Sequence, residues 1–238
     1  MNQRAHPTVR PYALALGVVP RRGVVERLSF LGPALAQDVA SALLLDTLGA
    51  LSTFPVRHRV VFAHGDDAVT RHTRLPATWR EMAQRGTTTE ERIGAAFEDL
   101  MALGSEAMLL VSADGPMLPL GPMFDGLMWL LPKRRVLVGA TEGGGVFALG
   151  VAERPAFLSS IGVALGLAGA GEEAPAANAS ARLTEVAQAS GLEVQELPPS
   201  FRIEDVEALK RLKDEVAGGV FAPHCRKLLE RPDLLAFL

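Results

Sequence analysis

The sequence predicts an α/β fold with a mostly parallel sheet and one local antiparallel strand. Three observations predict it. Short apolar runs without a helical period recur along the chain, at Tyr12–Val19, Arg59–Ala63, Ala107–Val111, Arg135–Ala140 and Val146–Val151, as strands buried on both faces require. Helical segments separate most of these runs, and that alternation is the signature of strand–helix–strand units. The exception is the pair Arg135–Ala140 and Val146–Val151, joined only by Thr141-Glu-Gly-Gly-Gly145. So short a connection places those two strands antiparallel.

Taken in order, residues 1–11 are polar with two Arg and two Pro, and read as a loose amino terminus. The first strand stops at Pro20-Arg-Arg-Gly23. Ala34–Leu51, rich in Ala and Leu, reads as a helix, and Arg59–Ala63 as the second strand. Thr87-Thr-Thr-Glu90 has the spacing of a capping box. It opens a helix that runs to Leu103 before Gly104, with Ile93, Ala96, Phe97, Leu100 and Leu103 on one face. Gly121–Leu131 is a further helix, ended by Pro132. Residues 162–180 are rich in Ala and Gly and read as a mobile loop. Ala181–Ser190 is a helix stopped by Gly191, Glu193–Leu197 a short edge strand, and Glu204–Val216 a charged amphipathic helix. The tail to Leu238 offers Leu residues for packing. No repeat or linker divides the chain, so residues 1–238 read as one domain.

Composition limits the function. Of 238 residues, 48% are hydrophobic and 21% charged, an ordinary globular balance. A formal net charge of −3 gives no bulk attraction to nucleic acid. The one cysteine, Cys225, excludes an internal disulfide and a Cys-rich zinc site. No apolar run reaches the roughly 18 residues of a membrane span, and the amino terminus does not resemble a secretory leader. A cytoplasmic protein without membrane or nucleic-acid partners is the expectation. The five histidines, His6, His58, His64, His72 and His224, show no metal-ligand spacing. Trp79 and Trp129 suit packing.

Chemistry is expected at the carboxyl ends of the strands, where ligands bind in open α/β sheets. Asp114 lies there, after the run Ala107–Val111 and before Gly115-Pro116. It can hold a Mg²⁺ or Mn²⁺ that also grips phosphate, or can cap the turn. Arg21, Arg22 and Arg27 follow the first strand, and their guanidinium forks match phosphate oxygens. Gly144 and Gly145, beside Glu142, can expose amides to a ligand or can simply make a tight hairpin turn.

These segments, in this order, resemble the cofC-like or radical-SAM/selenodomain-associated transferase 1 family (DUF2064), of the GT-A-type nucleotide-diphospho-sugar transferase superfamily. The residues that carry the resemblance are Pro20-Arg-Arg-Gly23 with Arg27-Leu28, Leu44-Leu-Asp-Thr-Leu48 and Gln84-Arg-Gly86. To these add Val111-Ser-Ala-Asp114-Gly-Pro-Met-Leu-Pro119 and Gly143-Gly-Gly-Val-Phe-Ala-Leu-Gly150. The resemblance runs from about Tyr12 to the tail. It implies a GT-A-like three-layer α/β/α sandwich, with Asp114 and Glu142 as metal ligands and Arg21, Arg22, Gly23, Arg27, Gly144 and Gly145 on the nucleotide phosphates. It implies Mg or Mn as cofactor and a nucleotide-sugar or nucleoside triphosphate as partner. The acceptor is unspecified, no catalytic residue is assigned, and a homodimer is left open. The reaction implied is glycosyl transfer, or nucleotidyl transfer as in 2-phospho-lactate guanylyltransferase. The departures point to a third outcome, a binding protein of the same fold without turnover. Glu26 stands where the pattern has a cation, Gly143 where it has Asp, Val146 where it has Tyr. The late Asp-x-Asp-Thr element reads Arg202-Ile-Glu-Asp205, which leaves Glu204 as a further acid that could shift toward a metal.

Overall fold

Seven strands form one mixed sheet in the order β3-β2-β1-β4-β6-β5-β7. They are β1 (Leu14–Val19), β2 (His58–Ala63), β3 (Arg80–Ala83), β4 (Ala107–Ser112), β5 (Arg135–Thr141), β6 (Val146–Val151) and β7 (Glu193–Ser200). The structure is a computed structural model, and it describes residues 13–20, 24–63, 70, 73–115, 117–153 and 178–238. The amino-terminal segment 1–11 and nearly all of 162–180 lie outside those residues.

β6 is antiparallel to both β4 and β5, and every other pairing is parallel. Consequently β1, β2, β4, β5 and β7 all deliver their carboxyl ends to one edge of the sheet. The helices flank it on both faces. α1 (Val24–Arg27), α2 (Pro33–Leu51), α4 (Leu120–Trp129), α6 (Val206–Ala217), α7 (Pro223–Leu229) and α8 (Pro232–Leu235) lie on one side; α3 (Thr89–Ala102) and α5 (Ala179–Ala189) lie on the other.

The central strands are legible because alternate residues serve different cores. Leu14, Leu16 and Val18 of β1 join Leu109 and Val111 of β4 against α2 and α4. Ala15 joins Met108, Leu110 and Phe62 against Phe97 and Leu100 of α3. Both sets are apolar, so no polar alternation interrupts the run. The result is the three-layer sandwich that the sequence implied.

Helix α2 carries the larger core. By length and composition it could span a membrane, contrary to the expectation from its sequence, yet 61% of its apolar window is buried inside the protein. Its residues Leu43, Leu44, Leu48 and Leu51 are fully buried, and α7 covers part of its outer surface. The tail thereby finds its packing partner. Asp46 accepts the His224 and Cys225 amides at 3.0 and 2.8 Å, and so caps α7 from within α2. Arg231 ties α8 to the same helix through Asp38 at 2.5 Å.

Three details differ from the sequence reading. The capping box uses Thr88 and Glu91, one residue later than Thr87 and Glu90, and Glu91 also accepts from the Thr87 amide and hydroxyl. β3 has no apolar signal in the sequence: of its four residues three are exposed and two are charged, as edge strands often are. β7 extends through Pro198 and Pro199 to Ser200. Prolines are tolerated there because β7 is the other edge. Trp79 is packed as expected, its indole donating to Ser52 Oγ at 2.8 Å. Trp129 carries the Arg135 guanidinium over its ring, 4.7 Å from the centroid.

Candidate active site at the carboxyl edge of the sheet

β4 is buried along its length and ends at Ser112. The chain then turns, and Asp114 is 2% exposed. Ser112 Oγ donates to Asp114 Oδ1. On the other carboxylate oxygen lies Arg202 Nε, 3.4 Å from Oδ2. The segment after β7 is clamped across this turn. Ile203 N donates to Asp114 O at 3.1 Å, and Ser200 Oγ donates to Met117 O at 2.8 Å. Asp114 is thus at the strand end where it was sought, but roofed by residues 200–203.

Arg202 is fixed from several sides. Its Nη2 donates to Val146 O at 2.7 Å, and its Nη1 lies 4.0 Å from Glu204 Oε1. The guanidinium rests against the β5–β6 turn. A Cβ at Gly145 would come within 2.8 Å of Nη1, so a larger residue there would require the guanidinium to shift. Gly144 adopts φ +79°, a left-handed conformation that glycine takes without strain. The amides of Gly144 and Gly145 donate to Thr141 O and Thr141 Oγ1 at 2.8 and 2.9 Å. Both are spent within the hairpin, so here the tight-turn reading describes them and the phosphate-binding one does not.

Glu142 is the other acid of the turn. It meets Arg211 of α6 in a two-pronged pair, at 2.6 and 2.8 Å. Arg211 also stacks on Phe201, its Cζ 4.0 Å from the ring centroid. The hydrogen bonds from Arg211 hold the Glu142 carboxyl below its ordinary value near 4.5, against the weaker opposing effect of burial. A lowered folded-state value means the pair's contribution is present above that ordinary value and is lost as the pH falls through the lowered one. A pH titration following the Glu142 carboxyl carbon by NMR should show this low midpoint, and Arg211→Ala should bring it back toward 4.5. The side chains are 47% and 44% exposed, so solvent screens the pair and its effect on global stability is small.

Beside Arg202 and the Glu142–Arg211 pair opens a cavity of about 350 Å³, walled by Thr141, Glu142, Phe201, Arg202, Asp205 and Arg211 among others. Asp205 is committed to capping α6 through the Ala208 amide at 2.8 Å. Of the other phosphate candidates, Arg21, Arg22 and Gly23 lie outside the described residues. Arg27 ends α1 half-buried and is not a free cation.

The resemblance implies a divalent ion at these acids. Mg²⁺ and Mn²⁺ need carboxylate oxygens turned toward a hydrated ion. Asp114 faces Arg202, and Glu142 faces Arg211. Among the described residues no three Asp, Glu, His or Cys side chains converge. As placed, these residues do not fit the ion. Sequence reasoning named both acids and the glycines, but missed Arg202 and Arg211. The one available signal was Arg202 standing in an element whose pattern calls for acids.

The mixed sheet with helices on both faces and a cleft at its carboxyl edge makes a GT-A-like α/β/α fold. Residues 47–163 match the model of the family described as "Uncharacterized protein conserved in bacteria (DUF2064)". The chain is similar over 94% of both lengths, at 17% identity and TM-score 0.70, to a Desulfovibrio desulfuricans G20 protein with the proposed assignment nucleotide-diphospho-sugar transferase. A cytidylyltransferase from Leptospira borgpetersenii serovar Hardjo-bovis is similar at 10% identity, with a TM-score of 0.55, over 92% of this chain and 93% of its own. The 4-diphosphocytidyl-2C-methyl-D-erythritol synthase of Anaerococcus prevotii DSM 20548 gives 10% identity and a TM-score of 0.54, over 87% and 96%. No curated protein matches the sequence.

Proposed function

We propose that the protein is a nucleotide-dependent transferase. Its substrate is a nucleotide-diphospho-sugar or a nucleoside triphosphate, and the reaction is glycosyl or nucleotidyl transfer. The observation that carries this reading is the cavity at the carboxyl edge, with the guanidinium groups of Arg202 and Arg211 in its wall. The fold supports it, since proteins described as sugar-nucleotide and cytidylyl transferases share it. In such a site guanidinium groups stabilise the charge that gathers on a departing phosphate. An incoming phosphate exchanges for Glu142 on Arg211, which is half-exposed and able to turn. Arg202, held by Asp114 and Val146, stays in place.

Asp114 being already neutralised favours a second reading, binding without turnover. One experiment addresses both. The thermal midpoint is measured with CTP, UTP, GTP, ATP, UDP-glucose and GDP-mannose, and product formation is assayed with each ligand that binds. At a hundredfold excess over its dissociation constant, one bound ligand stabilises by about 2.7 kcal/mol, or roughly 5–10 °C for a chain of this size. Arg211→Ala should shrink that shift. If none of these ligands moves the midpoint, the nucleotide reading is wrong. A shift without product in the presence of candidate sugar-alcohol or sugar-phosphate acceptors favours the binding protein.

A further inference from the structure

We infer that Arg202 is the resident cation of this site, occupying the role that the resemblance gives to a divalent metal, and that the protein binds its phosphate-bearing ligand without a metal. The inference rests on a phosphorylated ligand entering the cleft, as proposed above, and adds how its charge is met.

Three observations carry it. First, Asp114, the acid that follows β4, is occupied. Asp114 is 2% exposed, with Ser112 Oγ on one oxygen and Arg202 Nε on the other. A guanidinium stays protonated at every accessible pH, so a divalent ion approaching this carboxylate meets an existing positive charge at contact distance. Second, the guanidinium is built into the fold. Its side chain is 10% exposed, Nη2 is bound to Val146 O, and Gly145 leaves room for Nη1 where a Cβ would stand 2.8 Å away. Third, Arg202 belongs both to the carboxylate pair and to the cavity wall. Glu204, whose Oε1 lies 4.0 Å from Nη1, lines the same cavity. Asp114 then acts as a positioning residue: it aims Arg202 and does not itself touch the ligand.

The test compares nucleotide binding to the full chain by titration calorimetry in excess EDTA and in added Mg²⁺ or Mn²⁺, using CTP and UDP-glucose as probes. The expected result is a dissociation constant unchanged within about twofold between the two conditions, and weakened about tenfold or more when Arg202 is lost. Arg202→Met alone strands a buried carboxylate and can unfold the chain. The paired variant Asp114→Asn/Arg202→Met avoids this and should show the same weakening. Binding to the wild type that demands Mg²⁺ or Mn²⁺ overturns this inference while leaving the transferase proposal intact. Binding of neither probe, with or without metal, overturns both. Full affinity in the folded double variant also overturns it.

Discussion

Replacing Asp114 with Asn is expected to destabilise the protein by about 3–5 kcal/mol, the usual consequence of removing one partner from a buried ion pair. For a chain of this length that is a fall of roughly 6–20 °C in the thermal midpoint. The magnitude follows from what the substitution strands. Arg202 is 10% exposed and already placed against Gly145 and Val146, so its charge cannot turn to water. Arg202→Met should be comparably damaging for the mirror reason: it leaves the 2%-exposed carboxylate of Asp114 with a hydroxyl from Ser112 but without its cation. It also removes the donor to Val146 O. The two losses should not add. Asp114→Asn/Arg202→Met removes both charges together, and buried pairs replaced by neutral groups of similar size are often close to neutral. Urea denaturation of the four proteins completes the cycle. A coupling of about 2 kcal/mol or more is expected for groups in direct contact. Additive losses, or a single-variant loss below about 1 kcal/mol, would show that the contact is incidental.

That pair marks the boundary of what could be read from residue order. Asp114 was identifiable because a five-residue apolar run followed by Ser, Gly and Pro is a local signal, and local signals survive without coordinates. Its partner was not, because Arg202 arrives from beyond β7, on the far side of two other strands in the sheet order. Nothing in its neighbours announces a buried arginine. Glu142 illustrates the same limit. Its place in a glycine-rich turn is visible in sequence, but whether its carboxylate faces a metal or a guanidinium depends on α6, which brings Arg211. The helix cap at Thr88 shows a different kind of ambiguity. Three threonines followed by two glutamates satisfy the capping pattern in two registers, and the fold selects the second. Strands β1, β2, β4, β5 and β6 were legible because burial on both faces leaves continuous apolar runs. β3 was not, since four residues at an exposed edge need no apolar side at all.

The segment Leu44-Leu-Asp-Thr-Leu48 carries part of the family resemblance in the sequence; the structure gives it a mechanical task, and Asp46→Ala should expose that task. Helix α7 begins with Pro223, which has no amide hydrogen, and Ala222 offers no side-chain cap. The next two amides, of His224 and Cys225, are donors that the helix cannot satisfy internally. Asp46, 6% exposed, accepts both, and its charge sits favourably at the helix's positive end. Loss of the carboxylate should therefore remove about 2–4 kcal/mol, between an ordinary cap deletion and the loss of two charge-assisted bonds. The damage should be local to the tail, and Cys225 reports it. In the wild type the thiol is 2% exposed. Its pKa is pushed far up, by burial first and then by the charge and hydrogen bond of Asp46. The native thiol should resist a disulfide reagent at pH 8, since the thiolate is the reactive form. In Asp46→Ala, labelling should quicken as α7 lifts from α2. Thr47→Val is the control: Thr47 Oγ1 is buried with no hydrogen-bond partner among the described residues, so losing it should change stability by no more than about 1 kcal/mol, in the favourable direction. Should Cys225 stay protected and the urea midpoint hold in Asp46→Ala, the cap does not anchor the tail, and the apolar contacts of Leu228 and Leu229 with the larger core suffice.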